Sequence, residues 1–372
     1  MAEGMDFFVG QTLYITPHSS VYRGPYQTTI LETTPEGLVV ELPYHQGKIV
    51  LLSVGTAVTV ASGDQQYQAQ IVDRRLRSSP SIKLTFPHSV TAQVRRPPRR
   101  GARVIAVTSG KGGVGKTSLT INLAINLARQ GKRVALLDAD LGTANIDVLL
   151  GMNPRYNLIH VVSGEKILPE VMIEGPEGIQ VIPGGPGLQE LANLSELQFS
   201  QLLSGFSQLE EFVDILLIDT GAGISKNVTN FLLAADDILV VTTPEPHAML
   251  DAYAVIKVIR DQHPEGISLV MNRCEERREG EDATRKLMAA IERFLGVRVE
   301  HIYYLMDDPA VTQAIKAQVP VSIKYPSSRS AREIAALAAR LLESEKEREA
   351  EKSATERQPS FLERLWRLVG VG

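Results

Sequence analysis

Hydrophobic positions divide the chain into two textures. In residues 1–94, short runs rich in Val, Ile, Thr and Tyr recur at 11–16, 27–32, 37–42, 48–52, 57–61, 66–73 and 81–86. Turn-forming residues separate them, among them Pro35-Glu36-Gly37, Gln46-Gly47 and Ser62-Gly63-Asp64. Many short strands at this spacing predict a small all-β, barrel-like domain over residues 1–94. From Arg103 onward, apolar runs at 104–108, 134–137, 215–218, 238–242 and 268–271 alternate with helical patterns, as at 117–129 and 331–342. That alternation predicts an α/β domain over residues 103–342, a mostly parallel sheet with helices on both faces. Between the two lies Arg95-Arg96-Pro97-Pro98-Arg99-Arg100. Two prolines and four arginines cannot form a packed element, so residues 95–102 read as a basic linker. Residues 343–360 are charged and read as a tether, and residues 361–372 as an amphipathic helix.

Composition narrows the possibilities. The chain has 372 residues, 44% hydrophobic, which excludes a disordered protein. Its 39 Lys and Arg against 43 Asp and Glu give a net charge of −4, unlike a strongly basic nucleic-acid binder. A single cysteine, Cys274, excludes a disulfide framework and a cysteine-rich zinc site, and fits a reducing cytoplasm. Residues 1–10 have neither a basic nor an apolar signal region, which predicts no signal peptide. No apolar run approaches the roughly 18 residues of a membrane-spanning helix, which leaves contact with a membrane surface open.

The chemistry begins at Gly110-Lys111-Gly112-Gly113-Val114-Gly115-Lys116-Thr117, followed by Ser118. This is a G-x-x-x-x-G-K-[ST] phosphate loop, with a strand before it and a helix after it. Its glycines let backbone N–H groups turn toward phosphate oxygens, and the helix N-terminus adds a favourable dipole. Lys116 would meet the β and γ phosphates of ATP, and Thr117 would ligate Mg²⁺. The strand at 134–137 runs into Asp138-Ala139-Asp140. Carboxylates at that end of a sheet strand face the ligand crevice. Asp140 could orient the attacking water and Asp138 support Mg²⁺ through water, although such residues also serve as caps and turns. Ile215-Leu216-Leu217-Ile218-Asp219 reads as a Walker B strand that puts Asp219 near Mg²⁺. Thr220-Gly221-Ala222-Gly223 follows as a second switch able to respond to the γ-phosphate.

The second lysine of the loop, Lys111, gives the string an identity. It resembles the deviant phosphate loop of the MinD/ParA family of ATPases. The resemblance implies that Lys111 reaches the partner subunit's phosphates in an ATP-bound homodimer, and that residues 138–145 form the first switch, whose second carboxylate, Asp140, is needed for hydrolysis. It makes Asn272 an adenine contact, with Arg273 beside it. Three strings sharpen the likeness: residues 138–151 (DADLGTANIDVLLG); Ile182-Pro183-Gly184-Gly185 followed by Leu191-Ala192-Asn193-Leu194; and residues 219–225 (DTGAGIS). Together they resemble the flagellar-number ATPases of the FlhG group, also called YlxH or FleN. Those proteins control the number and placement of flagella and work with an FlhF-type GTPase, a flagellar regulator or a switch component. The DQAxxLR-like segment that stimulates the GTPase in that group has no counterpart ahead of this phosphate loop. Division-site or cargo positioning by a MinD/ParA-type ATPase is the alternative. A nucleotide- or cyclic-di-GMP-sensing scaffold is a second one.

Two further segments complete the reading. The β domain resembles the domain that precedes PilZ in flagellar-brake proteins, on the layout Gly10-Gln11-Thr12-Leu13, Gly55-Thr56 and the terminal arginines. Arg95 and Arg99, or Arg96 and Arg100, have the RxxxR spacing with which PilZ proteins hold cyclic di-GMP. The rest of the PilZ site is missing, so a solvated basic linker is the simpler reading. At the C-terminus, Phe361, Leu362, Leu365, Trp366, Leu368 and Val369 form a helical apolar stripe. A helix docked on the protein's own core would show the same stripe. The charged tether and a resemblance to the MinD membrane-targeting helix instead predict binding to an anionic membrane surface. The expected location is cytoplasmic, peripheral on the inner face of the cell membrane.

Overall fold

The computed structural model describes residues 7–17, 25–34, 37–45, 48–52, 54–62, 65–75, 80–85, 88–89, 102–140, 145–185, 206, 209, 213–260, 266–351 and 361–369. Arg95, Arg96, Arg99 and Arg100, and with them the alternative of a cyclic di-GMP contact, lie outside these residues. Contacts divide the chain into two units, Met1–Arg100 and Gly101–Gly372.

The first unit is a closed barrel. Its strands are β1 (Thr12–Pro17), β2 (Tyr26–Thr34), β3 (Gly37–Glu41), β4 (Tyr44–His45), β5 (Lys48–Ile49), β6 (Ala57–Ser62), β7 (Gln65–Arg75), β8 (Ser81–Thr85) and β9 (His88–Ser89). The order β1-β6-β7-β8-β3-β2 is antiparallel throughout, and β1 pairs with β2 to close the ring. Closure removes exposed strand edges. Alternation supplies the core: Leu13 and Ile15 point in while Thr12 and Tyr14 face out, and Val58, Val60, Ile82 and Leu84 join them inside. Register shifts at Ile30/Glu32 and Ile71/Asp73 bend β2 and β7. The predicted strand at 48–52 shrinks to the two-residue β5. Val50 donates to the Pro43 carbonyl (2.7 Å), and Val50 and Leu52 serve as core residues rather than ladder residues.

The second unit carries the strands β10 (Arg103–Ser109), β11 (Val134–Ala139), β12 (Ile173–Glu174), β13 (Gln180–Ile182), β14 (Ile215–Ala222), β15 (Asp237–Thr242), β16 (Ile267–Cys274) and β17 (His301–Met306). Their order is β12-β13-β11-β14-β10-β15-β16-β17, parallel except for β12 against β13. β11 and β15 are buried along their whole length, as the unbroken apolar runs require of a sheet covered on both faces. The described helices are α1 (Lys116–Arg129), α2 (Ile146–Leu150), α3 (Leu158–Val162), α4 (Leu168–Val171), α5 (Lys226–Ala234), α6 (Pro246–Ile259), α7 (Arg277–Leu295), α8 (Pro309–Lys316), α9 (Val321–Lys324), α10 (Arg329–Glu351) and α11 (Phe361–Val369). The helix expected at 331–342 continues to Glu351, into the segment read as a tether. No helix among the described residues is long and apolar enough to cross a membrane.

The C-terminal helix departs from the expectation of a free apolar face. α11 lies against α5, with the Phe361 ring stacked on Phe231 (centroids 6.4 Å, interplanar angle 16°). Phe361 and Leu365, expected to bind membrane, are each only 2% exposed. Arg364 donates through Nε to the Ala234 carbonyl (2.7 Å) and pairs with Asp236 (2.8 Å). Leu368 is half-buried; the side chains of Leu362, Trp366 and Val369 lie outside the described residues. The physical reason is that an amphipathic stripe hides equally well against a protein surface or a lipid surface, and here α5 covers it.

Candidate nucleotide site

The site forms at the carboxyl end of the central strands β10, β11, β14, β15 and β16. The loop leaves β10 and enters α1 at Lys116. Gly113 and Gly115 hold φ of +81° and +90°, a region side-chain-bearing residues avoid. Gly115 is also crowded: a Cβ there would stand 2.5 Å from the Asn272 amide nitrogen. Asn272 Nδ2 donates to the Val114 carbonyl at 2.7 Å. The residue expected to read the base thus also fixes the phosphate loop. Gly115→Ala is expected to break that bond, to cost about 1–3 kcal/mol of stability and to weaken nucleotide binding at least tenfold. Thermal unfolding and titration with a fluorescent ADP check both.

Gly110 meets a neighbour that the sequence did not reveal. A Cβ on it would come within 2.3 Å of the Asp251 backbone on α6. Just ahead of α6, Glu245 accepts from Lys111 Nζ at 3.1 Å, both side chains partly exposed. Lys111 is therefore turned toward its own chain's Glu245. The signal for Glu245 was available: it follows a buried strand at the end of the sheet where ligands bind. Asp251, in mid-helix, gave none.

Lys116 and Asp219 form the buried centre. Lys116 Nζ lies 2.8 Å from Asp219 Oδ1 and 3.4 Å from Thr117 Oγ1; Thr120 Oγ1 donates to the same Asp219 oxygen (3.1 Å). Burial raises the Asp219 carboxyl above its usual range, and Lys116 opposes the rise. Asp219 Oδ2 is buried with no hydrogen-bond partner. An orphaned carboxylate oxygen at this position suits a cation, since buried polar groups otherwise find partners. Thr117 and Asp219 would hold Mg²⁺, which supplies charge neutralisation of the terminal phosphates when bound. Ser118 follows on the first turn of α1, its carbonyl accepting from Asn122 Nδ2 (2.7 Å).

Asp138 lies opposite Asp219 on the neighbouring strand. Its Oδ1 accepts from the Asp140 amide (3.1 Å), and its Oδ2 from the amides of Asn145 (3.1 Å) and Ile146 (3.3 Å). The side chain expected to support Mg²⁺ through water here caps α2 and holds the ends of the first switch segment. Asp140 is half-buried and faces the second switch, where a Cβ on Gly221 would lie 3.5 Å from its Oδ1. That switch is tied to the loop by Gly223 N donating to the Ser109 carbonyl (2.8 Å). At the far side, Arg273 has φ +56° and stands 3.7 Å from Asp307 Oδ1. It follows Asn272 where the β16–β17 register shifts, which takes both residues out of the ladder.

Asp138 also sets a pH dependence. Its carboxyl is pushed from 3.8 up to about 6, first by burial and then by Asp219. The folded value lies above the unfolded one. Its contribution to stability is therefore complete below about pH 4 and lost as pH rises through 6. A shift of roughly 2 units corresponds to about 3 kcal/mol. Asp138→Asn is expected to flatten this slope in urea unfolding of the nucleotide-free protein between pH 4 and 7. An unchanged slope would assign it elsewhere.

A family profile described as ParA, NUBPL iron-transfer P-loop NTPase, matches residues 101–342. A second, PilZNR, flagellar protein YcgR, matches residues 9–87. "Antiactivator FleN" of Pseudomonas aeruginosa is 40% identical over 229 residues, 61% of this chain and 82% of that protein. "Flagellum site-determining protein YlxH" of Helicobacter pylori is 38% identical over 194 residues, 50% of this chain and 63% of that one. Among solved structures, the cell-division ATPase MinD of Pyrococcus furiosus superposes with a TM-score of 0.53 at 25% identity, over 65% of this chain and 99% of that one. Phosphate loop, Walker B carboxylate, strand order and sequence agree: the chain belongs to the ParA family of P-loop ATPases, with an N-terminal barrel of the flagellar YcgR type.

Proposed function

We propose that this chain is an ATP-dependent, dimerising, membrane-cycling ATPase that sets the number and placement of flagella. The observation that carries the flagellar reading is that both units separately match flagellar proteins, the barrel one profile and the ATPase unit two relatives. Lys116 would bind the β and γ phosphates, Asp140 would orient the attacking water, and Asn272 with Arg273 would face the adenine. Lys111 would leave Glu245 and reach across to a second subunit's nucleotide, adding charge in trans as an arginine finger does. Apolar Ile224 and Leu250, 50% and 64% exposed, stand beside the second switch and on α6, and favour a second copy on this face.

In the membrane step, α11 would exchange its groove on α5 for an anionic bilayer. Ser225, two residues past the second switch, caps α5 with its side chain, so a nucleotide-driven movement of the switch reaches α5. One short helix binds membrane weakly. Two in a dimer gain avidity of roughly 10² or more. The protein would then be cytoplasmic when monomeric and peripheral on the inner face of the cell membrane when dimeric. An FlhF-like GTPase or a flagellar switch or regulator protein would be its partner.

Lys111→Ala is expected to bind ATP with near-normal affinity and to remain monomeric in ATP, as sedimentation velocity would report. A dimer of wild-type strength would remove Lys111 from the interface. The function itself is tested by electron microscopy of cells lacking the gene. Extra, missing or misplaced flagella with normal division are expected. Minicells with normal flagella would instead place the chain with the division-site ATPases.

A further inference from the structure

We infer that Asp236 is a junction through which the start of β10, where the chain arrives from the N-terminal barrel, controls the docking of α11. The inference rests on the membrane cycle proposed above but concerns residues that cycle does not use. One carboxylate serves two elements: Asp236 Oδ1 pairs with Arg364 on α11 (2.8 Å), while Oδ2 accepts from the Val104 amide (2.8 Å). The Asp236 amide returns a bond to the Val104 carbonyl (2.8 Å). Its neighbour Asp237 holds the preceding residue, Arg103, through Nε at 2.6 Å, with side-chain exposures of only 6% and 11%. Arg103 also donates to the Leu341 carbonyl on α10 (2.6 Å).

Two successive carboxylates thus grip two successive residues at the start of β10, and the first of them also holds the C-terminal helix. The boundary between the units falls at Arg100 and Gly101, directly ahead of this grip. A displacement of the start of β10 carries Asp236 with it and pulls its carboxylate off Arg364. Arg364 closes the C-terminal end of α5 as well, through the Ala234 carbonyl. The opposite end of α5 is capped at the second switch. The docked helix therefore stands between two inputs, nucleotide at one end of α5 and the barrel's attachment point at the other. Coupling free energies are reciprocal, so losing α11 must in turn loosen the Val104 amide.

That reciprocity gives the test, on the full chain. Amide hydrogen exchange at Val104 is measured in wild type and in Arg364→Ala, without lipid. The junction predicts roughly tenfold faster exchange in the variant, the weight of one charge-assisted hydrogen bond, with the interior of β10 unchanged. Unchanged exchange at Val104 overturns it. Asp236→Asn keeps an acceptor for Val104 but loses the charge, and is expected to release α11 and speed Val104 exchange no more than Arg364→Ala does; Asp236→Ala, which also removes the acceptor, is expected to speed it further. If Asp236→Asn exposes Val104 as fully as Asp236→Ala, the carboxylate does not divide its roles and the junction fails. Co-sedimentation of wild type in ATP with phosphatidylglycerol vesicles is run alongside. Absence of binding there sinks the membrane cycle, while the exchange data still decide the junction.

Discussion

Lys116→Ala is expected to lower ATP turnover by about 10³-fold, the scale on which removing one preorganised charge from a transition state is felt. The structure adds a second consequence. Lys116 is 7% exposed and its ammonium lies on a fully buried Asp219. Without it, Asp219 keeps only the neutral hydroxyls of Thr120, 3.1 Å from Oδ1, and Thr117, and Oδ2 remains without a hydrogen bond. Breaking a buried pair from one side costs about 3–5 kcal/mol, reduced here to the extent that the carboxyl, already raised by burial, takes up a proton. Phosphate release and urea unfolding measure the two effects separately. Turnover within tenfold of wild type would mean that Lys116 does not face the phosphates.

Asp140→Ala is expected to behave differently. Hydrolysis falls by about 10²–10³-fold, the contribution of a positioned base, but ATP binding and fold are retained. Asp140 is half-buried, whereas the carboxylate contacts at the start of α2 are made by Asp138. The variant should therefore accumulate as an ATP-bound dimer, visible by light scattering and by nucleotide analysis of the isolated species. Rapid turnover in this variant would transfer the water-orienting role to another group.

The sequence made the ATPase unit far more legible than the barrel or the C-terminus, for physical reasons. Strands of a two-faced sheet must be apolar throughout, so β11 and β15 announce themselves, and a phosphate loop permits few residue types between its glycines. The short strands around residues 48–52 carry no such constraint. Val50 and Leu52 fit a core position in a loop as well as in a ladder. Contacts between distant segments left no local trace. Nothing near Gly110 foretold Asp251, and Glu245, although placed at the ligand end of the sheet, showed no sign of pairing with Lys111. Asp138 was legible as a carboxylate facing the crevice, yet its three backbone amide donors depend on how residues 145 and 146 return to it. The stripe from Phe361 to Val369 fixes a helix and its apolar side. What covers that side depends on α5 and on the state of the protein.

The covering of α11 is expected to change with the bound nucleotide. Asp140→Ala is mixed with phosphatidylglycerol vesicles in Mg-ATP or Mg-ADP and sedimented, and the protection of residues 226–234 from hydrogen exchange is followed in both. The account predicts roughly 10²-fold tighter binding in ATP, from two helices acting together, with α5 losing protection only there. Equal binding in the two nucleotides, with Phe361 still covering Phe231, would contradict a membrane cycle driven by ATP.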